Sequence, residues 1–426
     1  MSHLLCDINN MYSRNFSKKP SFGGRFSRGT GAGPRFGNRR FGASGGGFRG
    51  KGGRGGMRGG ENINISKFIC KAEITEKAEC FVPEHKFIDF NVSDALKANI
   101  IKKGYTIPTP IQDKIIPHIL RGSDVVGIAN TGTGKTGAFA IPLIQKVLLN
   151  PKNNILIVVP TRELAVQINT EIREFSSGMK IFSVCVVGGS SMGHQISELR
   201  YHNNFIIGTP GRLKDLIERK YINLAEFSTI VLDEADRMLD MGFIHDVKFM
   251  MAKMPKEKHT LFFSATISKE IETLIKEFLR EPVTISVKTG DTAKNVDQDI
   301  IRIQKESPKI DTLHNLLIKP EFSKVLIFGQ TKHGVEKLSK VLVERGFKAE
   351  AIHGNKSQSQ RQRALSLFKE SKVKILVATD VAARGLDIPN VSHVINFDIP
   401  NTYDDYVHRI GRTGRGDKKG IALTFV

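Results

Sequence analysis

The chain has 426 residues and a formal net charge of +21. That length gives room for two or three domains with large buried cores, and the basic excess points to a polyanionic partner. Its four cysteines (Cys6, Cys70, Cys80, Cys185) form no C-x-x-C pair, which argues against a disulfide framework or a cysteine metal site, and no apolar run reaches the ~18 residues of a spanning helix.

Residues 1–60 carry twelve Lys/Arg against a single acid, Asp7, in a glycine-dominated segment with Phe22, Phe26, Phe36, Phe41 and Phe48 interspersed. Such a composition cannot bury enough apolar surface to offset its ordering entropy, so a disordered tail is expected. Its arginines suit phosphate pairing and its rings suit base stacking, which makes non-specific RNA binding or self-association the functional reading. A solvating tail with no task is the alternative. No secretory apolar core follows Met1, and the many glycines oppose an amphipathic transit helix, so the expected compartment is the cytoplasm.

After an extension at 61–86, short apolar runs alternate with amphipathic helical stretches. Val125–Ala129, Ile155–Val159, Ser183–Val187, Phe205–Ile207, Thr229–Leu232 and Thr260–Phe263 read as buried strands. Arg162–Phe175 and Arg212–Arg219 read as helices between them. The pattern predicts a doubly wound α/β domain over 87–287.

Residues 288–298 are polar and aperiodic, and read as a linker. A second alternating set occupies 299–426, with strands expected at Lys324–Phe328, Lys348–Ile352, Val373–Ala378, His393–Phe397 and Ile421–Val426. One helix is well marked. Ser307 caps it, Pro308 suits its first turn, Leu313, Leu316 and Leu317 share a face, and Pro320 stops it. The chain stops on an expected strand with no closing helix, which is compatible with a shortened C-terminus.

Three segments carry chemistry. The run Val125–Ala129 leads into Thr131, Gly132, Thr133, Gly134, Lys135 and Thr136, then an apolar helix. Glycines there let backbone N–H groups converge on phosphate, and the helix start adds a favourable dipole. Lys135 would reach the β- and γ-phosphates of a nucleotide, and the Thr136 hydroxyl would ligand Mg²⁺. The generic loop has glycine where this chain has Ala129.

Asp233 and Glu234 follow the apolar run Thr229–Leu232, on the same edge of the expected sheet. Asp233 would hold the Mg²⁺ shell while Glu234 orients and deprotonates water. Arg412 and Arg415, three apart beside Gly411 and Gly414, offer positive charge from the second half of the chain. They could act on a γ-phosphate only when the two domains meet, or they could form an RNA-phosphate patch.

These motifs, in this order, resemble the DEAD-box ATP-dependent RNA helicases of superfamily 2. Also matching are Phe87, Gly104–Gln112, Pro160–Ala165, Gly188–Gly189, Thr209–Arg212, Ser264–Thr266, Gln358 with Arg361, Ala378–Asp387 and His408–Arg415. The resemblance spans 87–426, and the wording of Asp233–Phe243 is similar to bacterial RhlE-like members, while the Arg-Gly-Gly tail also resembles eukaryotic germline and initiation members. It implies two tandem RecA-like domains, with ATP and Mg²⁺ between them.

The resemblance also implies roles. Gln112 reads adenine, Phe87 stacks on or braces it, and Gly385 and Asp387 meet the ribose. Ser264 and Thr266 hydrogen-bond towards Asp236 and the His408 segment, linking hydrolysis to domain contact. RNA phosphates and 2′-hydroxyls fall to Arg162, Gly189, Thr209 and Arg212 in the first domain, and to Gln358, Arg361 and Thr379 in the second. Asn130 and Gly329–Thr331 depart slightly from the family's wording. The expected activity is local RNA duplex opening by a monomer, with accessory proteins as further partners. An ATP-gated RNA clamp and a DNA-directed motor are the rivals.

Overall fold

Nearly unbroken apolar tetrads build two parallel sheets. The computed structural model describes residues 68–71, 81–130, 132–287, 296–303, 308–383, 388, 390–414 and 419–426. The tail 1–60, residues 288–295 of the expected linker, and Thr131, Ser307, Gly385, Asp387 and Arg415 lie outside the described residues.

The first sheet holds β1 (Val125–Ile128), β2 (Ile155–Val158), β3 (Ser183–Val186), β4 (Phe205–Gly208), β5 (Thr229–Leu232), β6 (His259–Ser264) and β7 (Val283–Ser286). Their order is β3-β4-β2-β5-β6-β1-β7, and every ladder is parallel. Around them run α1 (Asp94–Lys102), α2 (Pro110–Leu120), α3 (Lys135–Leu149), α4 (Arg162–Phe175), α5 (Met192–Leu199), α6 (Pro210–Glu218), α7 (Ala235–Asp240), α8 (Ile244–Lys253) and α9 (Lys269–Phe278).

Successive strand residues point to opposite faces, so each apolar tetrad feeds two cores. Val125, Ile157, Val231 and Leu261 join the core under α2, α3 and α4, while Val126, Leu156, Ile230 and Phe262 join the opposite one. Each such fully buried side chain stabilises the fold by roughly 1.5–3 kcal/mol.

The second sheet holds β8 (Val296–Ile301), β9 (Val325–Phe328), β10 (Ala349–Ile352), β11 (Ile375–Ala378), β12 (His393–Asn396) and β13 (Gly420–Phe425), in the order β10-β11-β9-β12-β13-β8. Its helices are α10 (Lys309–Leu317), α11 (Lys332–Glu344), α12 (Gln358–Lys369), α13 (Asp380–Ala383) and α14 (Tyr403–Ile410). The same alternation sends Leu326, Leu376 and Val394 to one core and Val325, Ile375 and Ile395 to the other.

Both domains are therefore doubly wound α/β, as expected. The differences lie at edges and ends. Val296–Gln298, read as linker, belong to β8, an edge strand whose Asp297 and Asp299 blur the apolar signal. Edge strand β7 was not foreseen, because its alternate residues are exposed. Helix α6 begins at Pro210, two residues before the expected start, with Pro in the first turn. Pro308 is the N-cap of α10 rather than its first helical residue. Among the described residues, no helix is long and apolar enough to cross a membrane.

Candidate functional site

Strands β5, β6 and β1 are neighbours, with Leu232 opposite Phe262 and Ile128 opposite Ser264. Their carboxyl ends therefore deliver the acidic pair, the Ser264–Thr266 turn and the glycine loop side by side. That crevice is where ligands of open α/β sheets bind.

The loop is held from behind. Thr133 Oγ1 donates to Asn130 O at 2.9 Å, and Thr109 Oγ1 donates to Thr133 O at 2.8 Å. Gln112 forms a capping box with Thr109, accepting its N–H at 2.9 Å, and donates Nε2 to Gly134 O at 3.0 Å. Gly134, the N-cap of α3, has φ +88°, and a Cβ there would lie 2.6 Å from Gln112 Nε2. Only glycine tolerates that backbone and that proximity.

Lys135 opens α3, nearly fully buried, with Nζ donating to Ala129 O at 3.1 Å and lying 3.9 Å from Asp233 Oδ1. Burial pushes the Asp233 carboxyl up to about 6; Lys135 pulls it down, while Glu234 and Asp236 push it further up. Thr136 follows Lys135 in the first turn of α3, half-buried.

Glu234 sits at φ +52°, a left-handed conformation that costs a non-glycine residue on the order of 1–3 kcal/mol. Its Oε2 is buried without a hydrogen-bond partner among the described residues. An uncompensated carboxylate oxygen, a buried ammonium and a glycine loop form a donor set that fits a magnesium-bound nucleotide.

Asp236 gathers the next turn. Its Oδ2 accepts from Ala265 N, Thr266 N and Thr266 Oγ1 at 3.0, 2.9 and 3.1 Å. Ser264 instead donates back to Thr266 O at 2.7 Å, so only Thr266 makes the expected bond to Asp236.

A second concavity, about 430 Å³, is lined by Arg162, Glu163, Thr209 and Arg212 of the first domain and by Gly354 and Arg361 of the second. The Arg162 guanidinium packs on Gly189, which has φ +77°; a Cβ there would fall on it. Arg212 Nη1 donates to Gln195 Oε1 at 2.8 Å. Across the cavity, Arg361 Nη2 donates to Glu163 Oε2 at 2.7 Å, and Gln358 Nε2 reaches Glu163 Oε1 at 3.5 Å. Arg361 Nε and Gln358 Oε1 are buried without hydrogen-bond partners among the described residues. Thr379 follows β11, and its carbonyl oxygen accepts from Ala382 N and Ala383 N of α13.

The family profile for DEAD/DEAH box helicase matches residues 109–274, and that for the helicase conserved C-terminal domain matches residues 308–417. The chain belongs to the DEAD/DEAH box helicase family. It is similar to the DEAD-box ATP-dependent RNA helicase CshA of Bacillus subtilis, 45% identical over 344 residues, covering 80% of this chain and 69% of that protein. Among solved structures, it is similar to S. cerevisiae Dbp5 bound to RNA and ADP BeF3, at 30% identity and TM-score 0.71, covering 80% of this chain and 89% of that one. It is also similar to Mss116p bound to ssRNA and AMP-PNP, at 30% identity and TM-score 0.71, covering 79% and 72%.

In this DEAD-box chain, Phe87 is buried, edge-on to Phe90 and Tyr105, which suits bracing over stacking. His408 and Arg412 line a small cavity of the second domain with Asp380 and Arg409.

Sequence reasoning gave no role to Glu163, although it lies inside the Pro160–Ala165 motif. Nor did it give one to Arg409, which pairs with both oxygens of Asp380 at 2.5 and 2.8 Å and donates to Asp398 O at 2.6 Å. An arginine at that position signals phosphate binding as readily as scaffolding, and only the fold separates the two.

Proposed function

We propose that this chain is an ATP-dependent RNA helicase that grips RNA backbone without sequence preference and opens short duplexes as its two domains close. The observation that carries the reading is the buried trio Lys135, Asp233 and Glu234, brought together beyond the carboxyl ends of β1 and β5 on either side of β6, with one Glu234 oxygen left uncompensated.

With MgATP as substrate, Lys135 exchanges Ala129 O for phosphate oxygens. Thr136 and Asp233 hold the Mg²⁺, which supplies charge neutralisation and orientation. Glu234 accepts the proton of the attacking water. Arg412, with Arg415, brings positive charge from the second domain to the leaving phosphate oxygens. Gln112 serves adenine recognition while bracing the loop; Gly385 and Asp387 serve the ribose.

Arg162, Gly189, Thr209 and Arg212 hold RNA on one side, and Gln358, Arg361 and Thr379 on the other. The partnerless Arg361 Nε supports this, since a phosphate oxygen would satisfy it. Backbone and 2′-hydroxyl contacts explain a preference for RNA without base readout. The proposal extends to a cytoplasmic monomer that works with accessory proteins, of an RhlE-like subgroup on the wording of Asp233–Phe243.

The deciding experiment is steady-state ATP hydrolysis with single-stranded RNA, with DNA of the same sequence, and with neither, beside short-duplex unwinding. RNA-stimulated turnover and unwinding are expected. Equal stimulation by DNA would transfer the chain to a DNA-directed motor, and stimulation without unwinding would make it a clamp.

A further inference from the structure

A short stretch ahead of the first domain is built into the second. Cys70 and Gln298 exchange backbone hydrogen bonds, Cys70 N to Gln298 O at 3.1 Å and Gln298 N to Cys70 O at 2.7 Å, in an antiparallel bridge. Gln298 lies on β8, the edge strand of the second sheet. Two residues earlier, Phe68 is fully buried in that domain's core with Val296, Tyr406 and Ile410.

The contact closes on itself. The Phe68 ring lies 4.7 Å from the Tyr406 ring, centroid to centroid. The Tyr406 hydroxyl donates to the Gln298 side chain at 3.0 Å, and the Gln298 backbone returns to Cys70. Burial raises the Tyr406 phenol pKa, so this hydroxyl stays a donor.

Tyr406 sits on α14, whose next turn carries His408 and Arg409 and whose end leads to Arg412. Asp380 and Asp398 O fix Arg409 from one side. On the other side, Tyr406 and Ile410 face the core that Phe68 completes. An edge strand needs some cover, but edge cover alone requires no buried aromatic ring aimed at one helix.

We infer that residues 68–70 are a built-in edge clip that braces the arginine-bearing helix through Tyr406, making Phe68 a positioning residue for ATP turnover. The inference rests on the reading of Arg412 above. Removing the ring leaves Tyr406 free to tilt, and α14 with it. A displacement of about 1 Å at a charge that must meet a transition state lowers turnover on the order of 10- to 100-fold. ATP affinity, set by the loop of the first domain, changes little.

The test uses the full chain with Phe68→Ala, Phe68→Leu and Cys70→Pro. Amide hydrogen exchange is read at Gln298 and along 403–410, beside RNA-stimulated kcat and the KM for ATP. Phe68→Ala is expected to speed exchange at both places and to lower kcat at least tenfold with KM within about threefold. Phe68→Leu, which refills much of the core, should restore most of the kcat. Cys70→Pro removes one backbone donor from a solvent-exposed position, and carries the test if Phe68→Ala does not fold.

Unchanged exchange in Phe68→Ala and Cys70→Pro would overturn the inference. So would faster exchange with wild-type kcat, which would leave mere edge cover. An Arg412→Ala control that keeps full turnover would sink the Arg412 reading instead, while a kcat loss in Phe68→Ala that tracks α14 exchange would still support the brace.

Discussion

Arg361 of the second domain reaches Glu163 of the first at 2.7 Å, both side chains almost fully buried. Burial lowers the Arg361 pKa; Glu163 pulls it back up, and Arg162 presses it down again. A buried pair whose desolvation opposes its attraction adds little stability, but breaking it leaves an uncompensated charge. Its value is selective, since it exists only when the two domains are together.

Glu163→Ala therefore weakens the closed arrangement and not the first domain itself. Losing one partner of a buried pair costs about 3 kcal/mol, so half-saturation by RNA in the ATPase assay should rise roughly 100-fold. Glu163→Gln, which keeps an oxygen acceptor for Arg361 Nη2 and leaves Arg361 in place, should recover part of that loss. An RNA titration identical to wild type would show that the pair contributes nothing to closure.

Glu234→Gln and Lys135→Ala separate holding from hydrolysis. Glutamine keeps the shape of Glu234 but cannot take a proton, so turnover should fall at least ~100-fold while ATP and RNA stay bound together. Lys135→Ala removes the cation nearest Asp233 and should abolish binding of a fluorescent ATP analogue. Retained turnover in Glu234→Gln would place the base elsewhere.

How much of this was legible in the sequence follows from where each residue sits. Tetrads such as Ile155–Val158 are buried on both faces, so their apolar run shows unbroken. Strands β7 and β8 are edges, and half-solvated edges carry mixed residues that read as loop. The glycine loop between β1 and α3 was legible because strand, glycines and helix are contiguous. The partnership of Glu163 with Arg361 spans 198 residues and has no local signature. Phe68 was equally hidden, since one phenylalanine beside a glycine-rich tail gives no sign of a core.

His259 is a handle on pH. Its Nε2 pairs with Ser123 O at 2.8 Å and its Nδ1 with Lys146 Nζ at 3.3 Å; because the ammonium can only donate, the ring is neutral with its proton on Nε2. Burial pushes its pKa down to about 4, and the Lys146 ammonium lowers it further, against smaller upward pulls from the Ser123 bond and Asp124. The unfolded chain takes up a proton near pH 6.5 and the folded one only near 4. Stability from this site is thus complete above pH 6.5 and is lost as pH falls towards 4. The loss is on the order of 3 kcal/mol. Denaturant midpoints measured from pH 7.5 to 4.5 should fall more steeply for wild type than for His259→Gln, and parallel curves would refute the assignment.

Gln112 holds the glycine loop through two opposite groups, its Oε1 on Thr109 N and its Nε2 on Gly134 O. Glutamate at this position keeps the acceptor and loses the donor, and it sets a carboxylate against the Gly134 carbonyl. Each lost buried bond costs about 1–3 kcal/mol, so Gln112→Glu and Gln112→Ala should both weaken ATP and ADP by roughly tenfold or more. The loss should appear in direct nucleotide titrations without RNA, because the brace lies wholly within the first domain. Full nucleotide affinity in Gln112→Glu would mean that the Gly134 bond is dispensable and that the loop is held by Thr109 and Thr133 alone.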